Sequence, residues 1–147
     1  MNLRDQIKED EGLRLKPYDC PGGHKTIGYG WNLDARPLPA DVKAYLDQHG
    51  EITEAMAEEL LTMAIDSARR QCEGIFAYWE TFSPRRQDAI LNMVYNMGIG
   101  TFCEFKKMSR AILRGYWLLA ASEAEDSLWF KQVGKRSARI VKELREG

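Results

Sequence analysis

The chain predicts an α+β fold that is mostly α, and three observations carry that expectation. Helix signals dominate after residue 52, the glycines crowd between Gly12 and Gly50, and two short extended segments flank the turn Pro21-Gly22-Gly23. Periodicity of three and four marks helices, whereas a Pro-Gly-Gly turn between β-prone runs marks a hairpin.

Each element has a local reason. Asn2 can cap a short helix running through Glu11, with Asp5 in its first turn and Gly12 just past its end. Leu13 to Cys20 and Lys25 to Trp31 read as extended, with Pro21-Gly22-Gly23 turning the chain between them and a third strand near Trp31-Asn32-Leu33. Thr53 caps a helix whose apolar positions are Met56, Ala57, Leu60, Leu61, Ala64, Ile65 and Ala68. Ser83 before Pro84 is a cap followed by a first-turn proline; the stripe Ile90, Leu91, Val94, Tyr95 follows, and Gly98 ends it. Further helical pieces cover about 102–114, closed by Gly115, then 116–127, and 135–145 after Gly134. We expect one domain over 1–147. Its N-terminal lobe takes about 12–52, a connecting helix about 53–73, and a helical lobe about 74–147 with the 1–11 helix packed on it.

Composition narrows the function. The chain has 147 residues, 21 basic and 22 acidic side chains, and a formal net charge of −1. Such a balance argues against a chain built to coat nucleic acid or an anionic membrane, so no nucleic-acid partner is expected. The longest apolar run, Tyr116 to Ala121, is far too short to span a bilayer, and no stable membrane insertion is expected. The acids Asp5, Glu9, Asp10 and Glu11 stand where a signal peptide needs an apolar core, which places the protein initially in a cytosol. Cys20, Cys72 and Cys103 are scattered and read as reduced thiols, and His24 and His49 are too isolated for a metal cluster. No metal and no cofactor are expected.

Two places suggest chemistry. Glu9, Asp10 and Glu11 occupy the last turn of the first helix, where the macrodipole disfavours carboxylates. A solvated acidic patch is the plain reading, but crowded carboxylates also raise one another's pKa, as a general acid requires. On the following hairpin, strand alternation puts Thr26, Gly28 and Gly30 on one nearly bare face and Ile27, Tyr29 and Trp31 on the other. Glycines inside a strand fit either a twisted edge or a surface that a ligand approaches closely. Cys20 and Thr26 bracket the turn and should meet across it. Singly, one is a small buried thiol and the other a β-branched strand residue. With Glu11 they make an acid facing a thiol and a hydroxyl.

At these residues the chain resembles a known family. Glu11-Gly12-Leu13-Arg14-Leu15-Lys16-Pro17-Tyr18 and Thr26-Ile27-Gly28-Tyr29-Gly30 are similar to the phage lysozyme (endolysin muramidase) family, glycoside hydrolase family 24. The likeness continues through Arg86, Asn92 to Gly98, Trp129 to Gln132, and Arg136-Ser137-Ala138-Arg139. It implies a two-lobed, lysozyme-like fold with a cleft between lobes. It implies hydrolysis of the β-1,4 bond between N-acetylmuramic acid and N-acetylglucosamine in peptidoglycan, with host cell lysis as the outcome. By that resemblance Glu11 is the general acid, and Cys20 and Thr26 handle water or positive charge on the opposite ring face. Gly28, Gly30, Tyr95 and Asn96 line the substrate, and Arg136 and Arg139 pair with the acids at the end of the first helix.

Position 20 is often Asp in the family, and here it is Cys. The thiol can act as a thiolate base, a covalent nucleophile or a polarizable neighbour; the adjacent Asp19 points to the other face unless a bulge reverses it. Trp31 stands where the family commonly has His. Two alternatives stay open: a lytic transglycosylase producing anhydromuramyl ends, and a non-catalytic wall-binding module. The partners expected are peptidoglycan glycan strands, with release from the host cytoplasm to the periplasmic wall through a holin and the protein acting as a monomer.

Overall fold

The computed structural model describes residues 1–147. It is mostly helical with one small three-stranded antiparallel sheet, as the α+β expectation requires. The chain divides into two compact units, Met1–Ala64 and Ile65–Gly147.

The first unit opens with α1 (Leu3–Glu11), where Asn2 Oδ1 accepts from the Asp5 N–H at 2.8 Å. Leu3, Gln6 and Ile7 form its buried stripe. Gly12, at φ +71°, stops the helix by donating its N–H to the Lys8 carbonyl. β1 (Arg14–Asp19) pairs antiparallel with β2 (Lys25–Gly28), and β2 pairs antiparallel with β3 (Trp31–Asn32). Tyr18 faces Thr26 and Asp19 faces Lys25, with a register shift between Arg14 and Tyr18. The chain then forms α2 (Ala40–His49) and enters α3 (Glu54–Ile75), whose length runs into the second unit.

In this unit two features differ from the sequence expectation. Lys25 to Trp31 is not one strand: Gly28 and Gly30 sit at φ +67° and +79°, and these left-handed positions turn the chain so that Ile27 pairs with Trp31. The segment 40–49, to which the sequence reading assigns no element, is a helix closed by Gly50 at φ +76°. α1 belongs to the first unit, Met1–Ala64, together with the sheet. Arg4 ties α1 to α3: Nε and Nη2 donate to Glu58 Oε2 at 3.1 and 2.6 Å, and Nη2 also reaches the Glu58 carbonyl at 2.7 Å. Lys8 pairs with the other oxygen of the same carboxylate.

The second unit holds α4 (Pro84–Met97), α5 (Ile99–Glu104), α6 (Lys106–Leu113), α7 (Trp117–Glu125), α8 (Leu128–Val133) and α9 (Lys135–Glu146). Ser83 Oγ caps α4 by accepting from the Arg86 N–H at 3.2 Å, and Gly98 at φ +83° ends it. The expected helix over 102–114 is divided by Phe105, which leaves helical geometry between α5 and α6. Phe76, Phe82 and Phe102 pack at 5.9 and 6.2 Å between ring centres, and Ile90, Leu91, Ile112, Ile140 and Leu144 complete a dry interior. Arg86 donates to the Leu144 and Arg145 carbonyls at 3.0 and 3.2 Å, which satisfies orphan acceptors at the end of α9 with a cation.

Candidate active site

The proposed acid is the last residue of α1. Glu11 is half-buried, and its carboxyl group lies directly over Gly30. A Cβ on Gly30 would stand 2.8 Å from Glu11 Cδ and Oε1 and 3.1 Å from Oε2. The bare α-carbon therefore gives Glu11 its place. Gly30, a substrate-lining residue by the family resemblance, is thus also the neighbour of the acid. Gly28 is buried, and Ala57 and Leu60 from α3 stand 3.6 to 3.8 Å from where its Cβ would be.

Cys20 and Thr26 come together across the hairpin. The Cys20 N–H donates to the His24 carbonyl at 2.9 Å, and the Gly23 N–H returns to the Cys20 carbonyl at 2.9 Å, which closes the Pro21-Gly22 turn. Hydrogen bonding from the His24 backbone holds the Cys20 thiol below its usual pKa; the Thr26 hydroxyl and the Gly22 backbone add to this, and desolvation opposes it. These groups are donors, so they favour the thiolate. Thr26 is buried, and its hydroxyl also lies 3.2 Å from the His24 carbonyl. One hydroxyl proton can serve either acceptor, and ionisation of the sulfur would draw it from the carbonyl to Sγ. Asp19, one residue away, is exposed and pairs by register with Lys25.

Tyr18 connects the two halves, and it is a residue that sequence reasoning treated only as part of a motif. Burial pushes its phenol pKa up, and the negative charges of Glu11 and Cys20 push in the same direction, opposed by Arg14. The Arg14 guanidinium stacks on the Tyr18 ring at 4.9 Å. Glu11 and Cys20 thus act on one phenol, and their mutual neighbour is the residue opposite Thr26 in the sheet. The alternation of strand residues would have pointed to Tyr18, because it shares a face with Cys20 rather than with Asp19.

The remaining expected residues lie in the second unit. Tyr95 and Asn96 are half-buried near the end of α4, and Asn96 Oδ1 accepts from Trp129 Nε1 at 2.7 Å. Arg136 is buried on α9 and donates from Nε to Asn92 Oδ1 at 2.8 Å; Arg139 follows one turn later. Trp31 is buried, donates to the Arg36 carbonyl at 3.1 Å and carries the Arg36 guanidinium over its ring at 4.3 Å. These contacts give the indole a structural place in the hairpin.

The family model described as phage lysozyme matches residues 8–146. The chain belongs to the phage lysozyme family. It is 30% identical, over 96% of its own length, to the pre-baseplate central spike protein Gp5 of Enterobacteria phage T4, of which it spans 27%. A probable T4-type lysozyme from Dictyostelium discoideum is 29% identical, with 99% of this chain and 95% of that protein covered. An endolysin of Acyrthosiphon pisum secondary endosymbiont phage 1 is 28% identical, with 89% of this chain and 80% of that protein covered. Membership in the phage lysozyme family supports a lysozyme-like function on peptidoglycan.

Proposed function

We propose that the chain is a muramidase that hydrolyses the β-1,4 bond between N-acetylmuramic acid and N-acetylglucosamine. One observation carries the reading: Glu11 rests on the bare Gly30 α-carbon while Cys20 and Thr26 form a hydrogen-bonded pair across the hairpin turn. Glu11 acts as the acid that protonates the departing glycosidic oxygen. Cys20, favoured as thiolate by its donors, accepts a proton from the attacking water, and the Thr26 hydroxyl orients that water or the thiolate. Bond cleavage then needs one proton delivered and one removed, and the two groups share that work.

If water attacks directly, acid and base should stand about 6.5 to 9.5 Å apart and the anomeric configuration should invert. The biological setting that goes with this reading is a wall-degrading protein made in a host cytoplasm and admitted to the periplasmic wall through a holin, with lysis as the result. Product analysis on purified sacculi tests the chemistry. Hydrolysis yields reducing ends. Transglycosylation yields anhydro sugars lighter by one water, and a binding module yields no product. Reducing ends from the native chain and none from Glu11→Gln support the reading; anhydro ends alone refute it.

A further inference from the structure

The near-zero net charge hides a local asymmetry. From Phe105 through Ser122 the chain carries Lys106, Lys107, Arg110 and Arg114 and no acidic residue. The same stretch contains the densest group of exposed apolar side chains: Leu113, Tyr116, Leu118 and Leu119 are 46%, 57%, 68% and 50% accessible. Isolated exposed leucines are ordinary, but four large apolar side chains within seven residues, in a stretch whose charges are all basic, are not.

The placement is fixed by the fold. Lys106, Arg110, Leu113 and Arg114 recur at helical spacing and are all exposed, so α6 shows one basic face ending in Leu113. The chain then reverses tightly: the Gly115 N–H donates to Ile112 at 3.0 Å and the Tyr116 N–H to Ala111 at 2.8 Å. Trp117 pins the start of α7, its ring edge-on to Phe82 at 4.8 Å and beneath the Arg86 guanidinium at 4.7 Å. Tyr116, Leu118 and Leu119 therefore project from a rigid corner. At the far end of α6 a shallow hollow is lined by Glu104 and Glu123 together with Lys106 and Lys107, and its charge is mixed. The remaining cations of the stretch, Arg110 and Arg114, lie toward the corner and are exposed.

We propose that the α6–α7 corner docks peripherally on an anionic lipid surface, with Arg110 and Arg114 on the headgroup phosphates and Leu113, Tyr116, Leu118 and Leu119 seated at the acyl boundary. A phenol and leucines beside guanidinium groups match the layered polarity of that interface. No helix is long and apolar enough to cross a membrane, so the contact is one of surface and not of span. None of these residues belongs to the Glu11, Cys20 and Thr26 group, and the proposal stands whether or not the muramidase reading does.

The test is cosedimentation of the full chain with vesicles of phosphatidylglycerol and phosphatidylcholine, against phosphatidylcholine alone, with sedimentation velocity of the free chain in parallel. The double variants Arg110→Gln/Arg114→Gln and Leu118→Ser/Leu119→Ser are exposed changes, and circular dichroism checks that they fold. Binding should appear only with the anionic vesicles and weaken as salt rises. It should fall about thirtyfold in the arginine variant, at about fivefold per cation, and fall again in the leucine variant. Equal binding to both vesicle types overturns the proposal, as does binding unchanged by either variant. Self-association that the leucine variant abolishes, without vesicle binding, overturns it in favour of a second copy of the chain.

Discussion

A methyl group at Gly30 would meet the Glu11 carboxyl at 2.8 Å on a backbone held at φ +79°, so a single added carbon tests whether that close approach matters. Gly30→Ala should lose about 1 to 2 kcal/mol from the left-handed conformation alone. Displacing the acid should cost lysis about 100-fold, because an ångström of misplacement is expensive in an aligned site. Thermal unfolding and the clearing of sensitised Gram-negative cells measure the two effects separately. Glu11→Gln should remove about 10²- to 10⁴-fold of activity, since the amide has no proton to deliver to the departing oxygen. Position 20 is tested by pH. The thiol pKa is depressed in the folded state, so the thiolate contributes stability that is complete above the usual thiol value and lost as pH falls through the folded value. Activity that depends on the thiolate should follow the same ionisation. Cys20→Asp should keep part of the activity and move the acid limb of the pH–rate profile to lower pH; an unmoved limb would make the thiol a bystander. The meeting of Cys20 with Thr26 was legible from the five residues between them. The contact of Glu11 with Gly30 was not, because it depends on two left-handed glycines that turn what alternation reads as a continuous strand.

Among the elements, α1 and α3 are joined through Glu58, which takes Arg4 on one oxygen and Lys8 on the other. Hydrogen bonding from Lys8 and then Arg4 holds the Glu58 carboxyl below its usual range. Its contribution is therefore present above the usual carboxylate value and disappears as pH falls through the folded value. All three side chains are partly exposed, so Glu58→Gln should cost only about 1 kcal/mol at neutral pH and less in high salt, read from urea unfolding. Cys72 on α3 behaves oppositely. It is fully buried, and burial pushes its thiol up to about 12. The unfolded chain ionises this thiol first, so stability should fall above the usual thiol value at about 1.4 kcal/mol per pH unit until about pH 12. That slope should be shallower in Cys72→Ala. Helix caps were readable from sequence, as Asn2, Thr53 and Ser83 show by accepting from Asp5, Met56 and Arg86. The helix at Ala40–His49 was not, because Val42 is its one buried residue and its apolar pattern is weak. Pro39 before it and the left-handed Gly50 after it were the signals available.

For the whole molecule, the α+β class followed from the uneven distribution of glycine and of helical periodicity, and the phage lysozyme family from an ordered set of motifs spread along the chain. Charge pairing draws α1 to Glu58 within Met1–Ala64, and a helix's tertiary partner is set by side chains more than fifty residues away. The account as a whole rests on hydrolysis driven by the carboxyl at Glu11. The most direct measurement is mass spectrometry of fragments released from purified sacculi by the native chain and by Glu11→Gln at equal concentration. The expected result is disaccharide fragments with reducing N-acetylmuramic acid ends from the native chain and none from the variant. Fragments released equally by both, or carrying only anhydro ends, would contradict it.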